Sequence, residues 1–265
     1  MNNQSIGILD SGIGGLTVAK EVIALLPHES VIYIGDSTNA PYGALSAEVI
    51  HQNARALVQF LLKKDVKLIV VACNTITVNC IDALREEFTE IPIIGAVPVV
   101  KNAAALSRNK RIGILSTSQT TRSPYQKQLI DMYANGCTVF THGTDALVPL
   151  IEQMILDGEV MESVLTRVLE KFKTEKIDTL ALGCTHFPLV RNSIQKILGN
   201  DVLLLDSGAA IARHVQRILS NNKVMSSTAQ PRHMFYTTGE TILMQSVADR
   251  LALPIHSRDL HKMIL

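Results

Sequence analysis

The chain has 265 residues, 47% of them hydrophobic and 18% charged, with a formal net charge of +1. That balance fits one large or two medium folded α/β domains and excludes a disordered chain. Near-neutrality gives no electrostatic basis for binding nucleic acid or an anionic membrane surface, and neither is expected as a partner.

The start, Met1-Asn2-Asn3-Gln4-Ser5, has no basic n-region, and Asp10 interrupts the apolar stretch behind it, so no secretory signal is read. No extension precedes the first strand, which leaves little room for an added regulatory segment. Short apolar runs then predict strands at 5–10, 30–35, 67–73, 91–95, 110–116, 137–141, 177–183, 202–205 and 232–237. None approaches the roughly 18 residues of a membrane span. Helical spacing fills most intervals; over 46–63 it is set by Val49, Ala56, Leu57, Phe60 and Leu61. Residues 221–232 are the best surface loop. Strand–helix alternation predicts parallel sheets with helices on both faces, which place ligands at the carboxyl ends of the strands. Asp10, Cys73, Ser116 and Cys184 all fall at such ends.

Two stretches of the chain resemble each other. Ile69-Val70-Val71-Ala72-Cys73-Asn74-Thr75 is echoed by Leu180-Ala181-Leu182-Gly183-Cys184-Thr185, and Ile6-Gly7-Ile8-Leu9-Asp10-Ser11 by Ile112-Gly113-Ile114-Leu115-Ser116-Thr117. The intervals between paired segments nearly match. A duplication with halves 1–97 and 98–210 follows, each half bringing one thiol to a strand end, and 211–265 returns to complete the first domain. The expected fold is therefore two similar doubly wound parallel-sheet domains related by a pseudo-twofold, with a site in the cleft between them. Thiols on opposite sides of a small ligand suit a proton taken from one face and returned to the other.

Each motif has a plainer reading. Asp10-Ser11-Gly12-Ile13-Gly14-Gly15 follows a strand and opens a helix, and Gly12, Gly14 and the later Asp36 resemble a dinucleotide fingerprint. Thr17 stands at the third glycine position, however, and the Asp10 carboxylate would repel a pyrophosphate. Cys73-Asn74-Thr75 alone reads as a buried thiol plus a helix cap. Cys184-Thr185-His186 changes that, because it repeats the strand-end thiol and adds an imidazole, and thiols at helix N-termini have lowered pKa values. Zinc is the weaker option, since no Cys-x-x-Cys pair exists and Cys-Thr-His would crowd two ligands. Cys80 and Cys137 read as structural, and four cysteines without a signal read as cytosolic thiols. Pro41-Tyr42-Gly43 reads as a turn or as a substrate loop at a strand end. Glu152 reads as beginning or capping a helix, and His142 is ambiguous.

From Asp10-Ser11-Gly12 through Pro41-Tyr42-Gly43 and Cys73-Asn74-Thr75 to Gly183-Cys184-Thr185-His186, the chain resembles the cofactor-independent aspartate/glutamate racemase family. His186 and the Pro-Tyr-Gly loop favour the glutamate branch, since aspartate racemases tend to carry Glu where His186 stands. Ile76, where a small residue is common, and the loose motif Ser207-Gly208-Ala209-Ala210 are departures that touch no proton-transfer residue. The resemblance implies a cytoplasmic homodimer that racemises glutamate without pyridoxal phosphate or metal and feeds bacterial peptidoglycan synthesis. It implies that Cys73 takes the proton of D-glutamate and Cys184 that of L-glutamate. Asp10 would assist Cys73, and His186 would assist Cys184 with a contribution from Glu152. Ser11, Pro41, Tyr42, Gly43, Asn74, Thr75, Thr117 and Thr185 would hold substrate.

The residue types suit that chemistry. A thiol with a free pKa of about 8.5 can act as base in one direction and acid in the other. One positioned acid/base group supplies about 10²–10⁴ in rate, and orientation and dipoles supply the rest. Backbone amides beside Ser11, Asn74 and Thr185 can hold carboxylate, which fits the absence of Lys and Arg from the motifs. A two-lobed amino-acid-binding module and a zinc-dependent hydrolase are the alternatives; the first needs no strand-end thiols, and metal content would expose the second.

Overall fold

A computed structural model describes residues 2–96 and 99–264. The chain begins with β1 (Ile6–Asp10), α1 (Leu16–Leu25), β2 (Val31–Gly35), α2 (Ala47–Lys63), β3 (Leu68–Val71), α3 (Asn74–Glu87) and β4 (Ile93–Ile94). It continues through α4 (Val99–Leu106), β5 (Arg111–Ser116), α5 (Ser118–Arg122), α6 (Pro124–Tyr133) and β6 (Thr138–Gly143). Then come α7 (Leu147–Glu152), α8 (Gly158–Thr174), β7 (Thr179–Gly183), α9 (Arg191–Leu198) and β8 (Leu203–Leu205). The chain closes with α10 (Gly208–Asn221), β9 (His233–Thr237), α11 (Thr241–Arg250) and β10 (Leu260–Lys262).

Among the described residues these strands form two sheets, ordered β10-β9-β2-β1-β3-β4 and β6-β5-β7-β8, with every pairing parallel. The run β2-β1-β3-β4 has the same order as β6-β5-β7-β8, so the repeat read in the sequence is a repeat of topology. In each, the first strand lies between the next two, and the crossovers leave it on opposite sides. That is the switch point at which open α/β sheets bind ligands.

The interior follows from the sequence. Strands β1, β2 and β3 are buried along their whole length because helices cover both faces, so they read as continuous apolar runs. Ser46 caps α2 by accepting from the Val49 amide, and Ile50, Ala54, Leu57, Val58 and Leu61 face the core. The buried stripe is turned from the expected one: Val49, in the first turn of α2, is 39% exposed. On α8, Met161, Leu165, Val168, Leu169 and Phe172 make the equivalent stripe against the second sheet.

Two details differ from the sequence reading. Strand β10 is an addition; its three residues, Leu260-His261-Lys262, are too short and polar to signal a strand, and pairing with β9 creates it. The 221–232 segment is not wholly a surface loop, since Ser226 within it is buried and donates its amide to the Glu29 carboxylate at 2.7 Å. The expected junction at 97/98 lies outside the described residues, and the boundary at 210/211 falls inside α10, which packs on α1.

Candidate active site

Both thiols lie just beyond the carboxyl ends of equivalent strands, Cys73 after β3 and Cys184 after β7. They face one small cavity between the two sheets. Ser11, Cys73, Asn74 and Thr75 line it from the first half, together with the Pro41–Gly43 loop. Thr117, Cys184, Thr185 and His186 line it from the second, with Val148 of α7. Val148 escapes a sequence reading because an aliphatic residue in an apolar run carries no chemical signal. Asp10 and Glu152 stand behind this lining.

Cys73 is the N-cap of α3, and its Sγ lies 3.3 Å from Ser11 Oγ. The expected lowering of its pKa is not found. Burial, and then the charge of Asp10, push the Cys73 thiol up to about 12. An ionised Cys73 in this setting is therefore costly to form and strongly basic once formed.

Asp10 ends β1 fully buried. Burial raises its carboxyl to about 6, while the charge of His186 and the Thr185 hydroxyl pull the other way. The carboxylate accepts from the Gly12 amide and from Thr185 Oγ1, each at 3.1 Å. Thr185 belongs to the second half, so the partner of one strand end is held by a residue beside the other thiol.

The second thiol heads a chain of contacts. Cys184 Sγ lies 3.8 Å from His186 Nδ1, and His186 Nε2 is 2.6 Å from Glu152 Oε1. Burial alone would depress the His186 pKa, but hydrogen bonds and charge from Cys184 and Glu152 override it and raise it well above the usual histidine value. Glu152, expected to begin or cap a helix, is the last residue of α7, next to the C-cap Gln153. A carboxylate is disfavoured at a helix C-terminus, and here His186 and the Ile13 amide, donating at 2.8 Å, hold it.

The halves meet tightly around the cavity. The Thr75 hydroxyl is 3.0 Å from that of Thr117, which caps α5, and Gln119 donates to Asn79 at 3.1 Å. Thr17 Oγ1 donates to the Thr185 carbonyl at 3.1 Å. The glycines of the 10–15 loop allow this approach: a β-carbon on Gly14 would collide with the His186 ring.

The sequence profile of the Asp/Glu/hydantoin racemase family matches residues 15–215. A glutamate racemase of Streptococcus gordonii is 40% identical over 252 residues, which is 94% of this chain and 95% of that one. A glutamate racemase isoform of Bacillus anthracis superposes with a TM-score of 0.88 at 33% identity, covering 100% of this chain and 99% of the other. A Francisella tularensis glutamate racemase, solved with D-glutamate, gives 0.86 at 32% identity, covering 100% and 98%. Similarity at this level, over nearly the whole length of both partners, fixes the lineage: the chain belongs to the Asp/Glu/hydantoin racemase family.

Proposed function

We propose that this protein interconverts D- and L-glutamate by passing the α-proton between two thiols, without pyridoxal phosphate or metal. The observation that carries the reading is the pair Cys73 and Cys184 on one small cavity, each at the end of an equivalent strand, in a chain 40% identical to a glutamate racemase. In one direction the Cys73 thiolate takes the Cα proton of D-glutamate, and the Cys184 thiol delivers a proton to the opposite face. L-Glutamate is the product; Cys73 is left protonated and Cys184 ionised, and the reverse reaction starts from that state. Asp10 accepts the proton that Cys73 has gained, and the His186–Glu152 pair returns one to Cys184.

The setting suits both steps. The high Cys73 pKa gives its thiolate the driving force to take a weakly acidic proton. The substrate ammonium brings a positive charge close to that thiolate and stabilises it. Amides at the start of α3, beside Asn74 and Thr75, are the donors for the α-carboxylate and the developing enolate oxygen. Ser11, Thr117, Thr185 and the Pro41–Gly43 loop complete the cradle. Val148 supports the dry side of the cavity.

Proton NMR of D-glutamate with the purified protein in D₂O, followed alongside optical rotation, tests this. Loss of the Cα–H signal with decay of rotation to zero, without added pyridoxal phosphate, is expected. Persistence of both signals in reduced, folded protein rejects glutamate as substrate. Cys73→Ser and Cys184→Ser are each expected to abolish racemisation with circular dichroism unchanged, and full activity in either rejects the two-thiol mechanism. We also infer a cytoplasmic role in supplying D-glutamate for peptidoglycan, tested by rescue of a bacterium that requires D-glutamate for growth. No helix among the described residues is long and apolar enough to cross a membrane. A homodimer rests on the family resemblance, and sedimentation equilibrium tests it.

A further inference from the structure

Asp36 follows β2 and is fully buried, yet it lies outside the cavity lining. As a dinucleotide-type ribose ligand it would face a cofactor; instead its carboxylate is turned into the substrate loop. Tyr42 Oη donates to Oδ2 at 2.6 Å, and Asn39 Nδ2 donates to Oδ2 at 2.9 Å and Oδ1 at 3.1 Å. Thr238 Oγ1, just past β9 in the C-terminal return, donates to Oδ1 at 2.8 Å. All three partners are neutral. The Asp36 amide also donates to the Asp10 carbonyl at 3.0 Å, tying the same residue to the strand end beside Cys73.

A buried carboxylate in a dry site is costly unless donors converge on it, and donors that converge on a charge form stronger hydrogen bonds than those on a neutral group. A neutral side chain could fill the space, but it could not accept from Tyr42, Asn39 and Thr238 together. Tyr42 is itself 2% exposed, and Tyr42 with Gly43 forms one wall of the cavity. Thr38 repeats the tether from the other side of the loop, donating its amide to Thr238 Oγ1 at 3.0 Å and its hydroxyl to the Thr238 carbonyl at 2.7 Å.

We propose that Asp36 is a positioning residue for the racemase reaction: its carboxylate holds Tyr42, and with it the Pro41–Gly43 wall, in the substrate-binding position, and anchors that wall to Thr238 of the C-terminal return. It acts through substrate affinity and takes no part in proton transfer. The inference rests on the glutamate racemase reading above.

The test is the steady-state kinetics of Asp36→Asn, Tyr42→Phe and the double variant, in both directions. In Asp36→Asn the side-chain amide keeps the shape of the carboxylate but can no longer accept from all three donors. Each single change is expected to raise KM for both enantiomers by about tenfold, the scale of a lost hydrogen bond to a charged acceptor, with kcat within about threefold of the parent. Because Asp36 acts through Tyr42, the double variant is expected to be scarcely worse than Tyr42→Phe alone. A purely structural role would lower thermal stability and leave KM unchanged, and that result overturns the proposal. So does a fall in kcat at constant KM, or effects of the two changes that multiply in full. Should Asp36→Asn not fold, Thr238→Val keeps the carboxylate and removes one of its donors together with the acceptor of the Thr38 amide; it must raise KM in the same way, and unaltered KM there is equally fatal. No turnover of glutamate by the unmodified protein would remove the reading beneath the inference, whereas normal turnover with unaltered KM in the variants removes the inference alone.

Discussion

At the scale of single residues, the site works with groups held away from their ordinary ionisation. Asp10 shows the cost. Its carboxyl is raised from 3.8 to about 6 by burial, so the folded protein binds this proton more tightly than the unfolded chain does. That contribution to stability is fully present below pH 3.8 and is lost as the pH rises through about 6. Above that, ionised Asp10 destabilises the fold by about 3 kcal/mol, at about 1.4 kcal/mol per pKa unit. Asp10→Asn removes the charge and keeps the shape. Its thermal midpoint is therefore expected to exceed that of the parent at pH 8, with the difference closing by about pH 4 while activity is lost. Equal midpoints at pH 8, read by circular dichroism, would show that the carboxylate carries no such strain. Under the proposed mechanism, in which Asp10 accepts the proton of Cys73, the same ionisation should appear as a rise of kcat/KM for D-glutamate through a pKa near 6, since a protonated carboxyl cannot act as that acceptor.

At the scale of elements, the loop between β1 and α1 has to fit under the turn that carries His186. Gly14 makes the fit: a β-carbon there would overlap the imidazole and the His186 backbone amide. Gly14→Ala must displace the Cys184–His186–Glu152 chain, the relay of the proposed mechanism, and misplacement by about 1 Å costs on the order of 10² in rate. A drop of that size in kcat, with unchanged circular dichroism, is the expected outcome; near-normal kcat would mean that the relay tolerates movement. The elements themselves are largely legible in the sequence, because both sheets are parallel and most of their strands are apolar runs separated by helical patterns. Strands β1 to β9 fall where such runs lie. The last, Leu260–Lys262, has no pattern of its own and exists through its pairing with β9. The thiols, His186 and the Pro41–Gly43 loop can be read from motif and repeat, since each is chemically conspicuous. Asp36 reads only against a nucleotide motif, because the donors that give it meaning, Tyr42 and Thr238, converge on it through tertiary structure. Glu152 reads only as a helix-end residue for the same reason: what holds it, the Ile13 amide, lies in the other half.

At the scale of the whole molecule, the chain leaves the first sheet, builds the second and returns, and the return has to be fastened. One fastening lies at the amino ends of the strands, away from the cavity. Lys67, just before β3, pairs with Glu29 at 2.6 Å, with the two side chains 2% and 1% exposed. The Lys67 ammonium also donates to the carbonyls of Asn2 and Val224, each at 2.8 Å, while Glu29 accepts the Ser226 amide. One buried ion pair thus joins the first residues of the chain, the first sheet and the returning segment. A buried pair is weak evidence for stability as such, but removing one partner strands the other charge in a dry interior, at about 3–5 kcal/mol. Lys67→Met should therefore lower the urea midpoint, followed by circular dichroism, by an amount corresponding to that range, and Lys67→Met with Glu29→Gln should recover part of it. Because the candidate active site sits at the opposite ends of the strands, KM of the folded fraction should not change. An unaltered midpoint would mean that the return is held by packing alone, whereas a changed KM would show that this fastening sets the closure of the two halves as well as their cohesion.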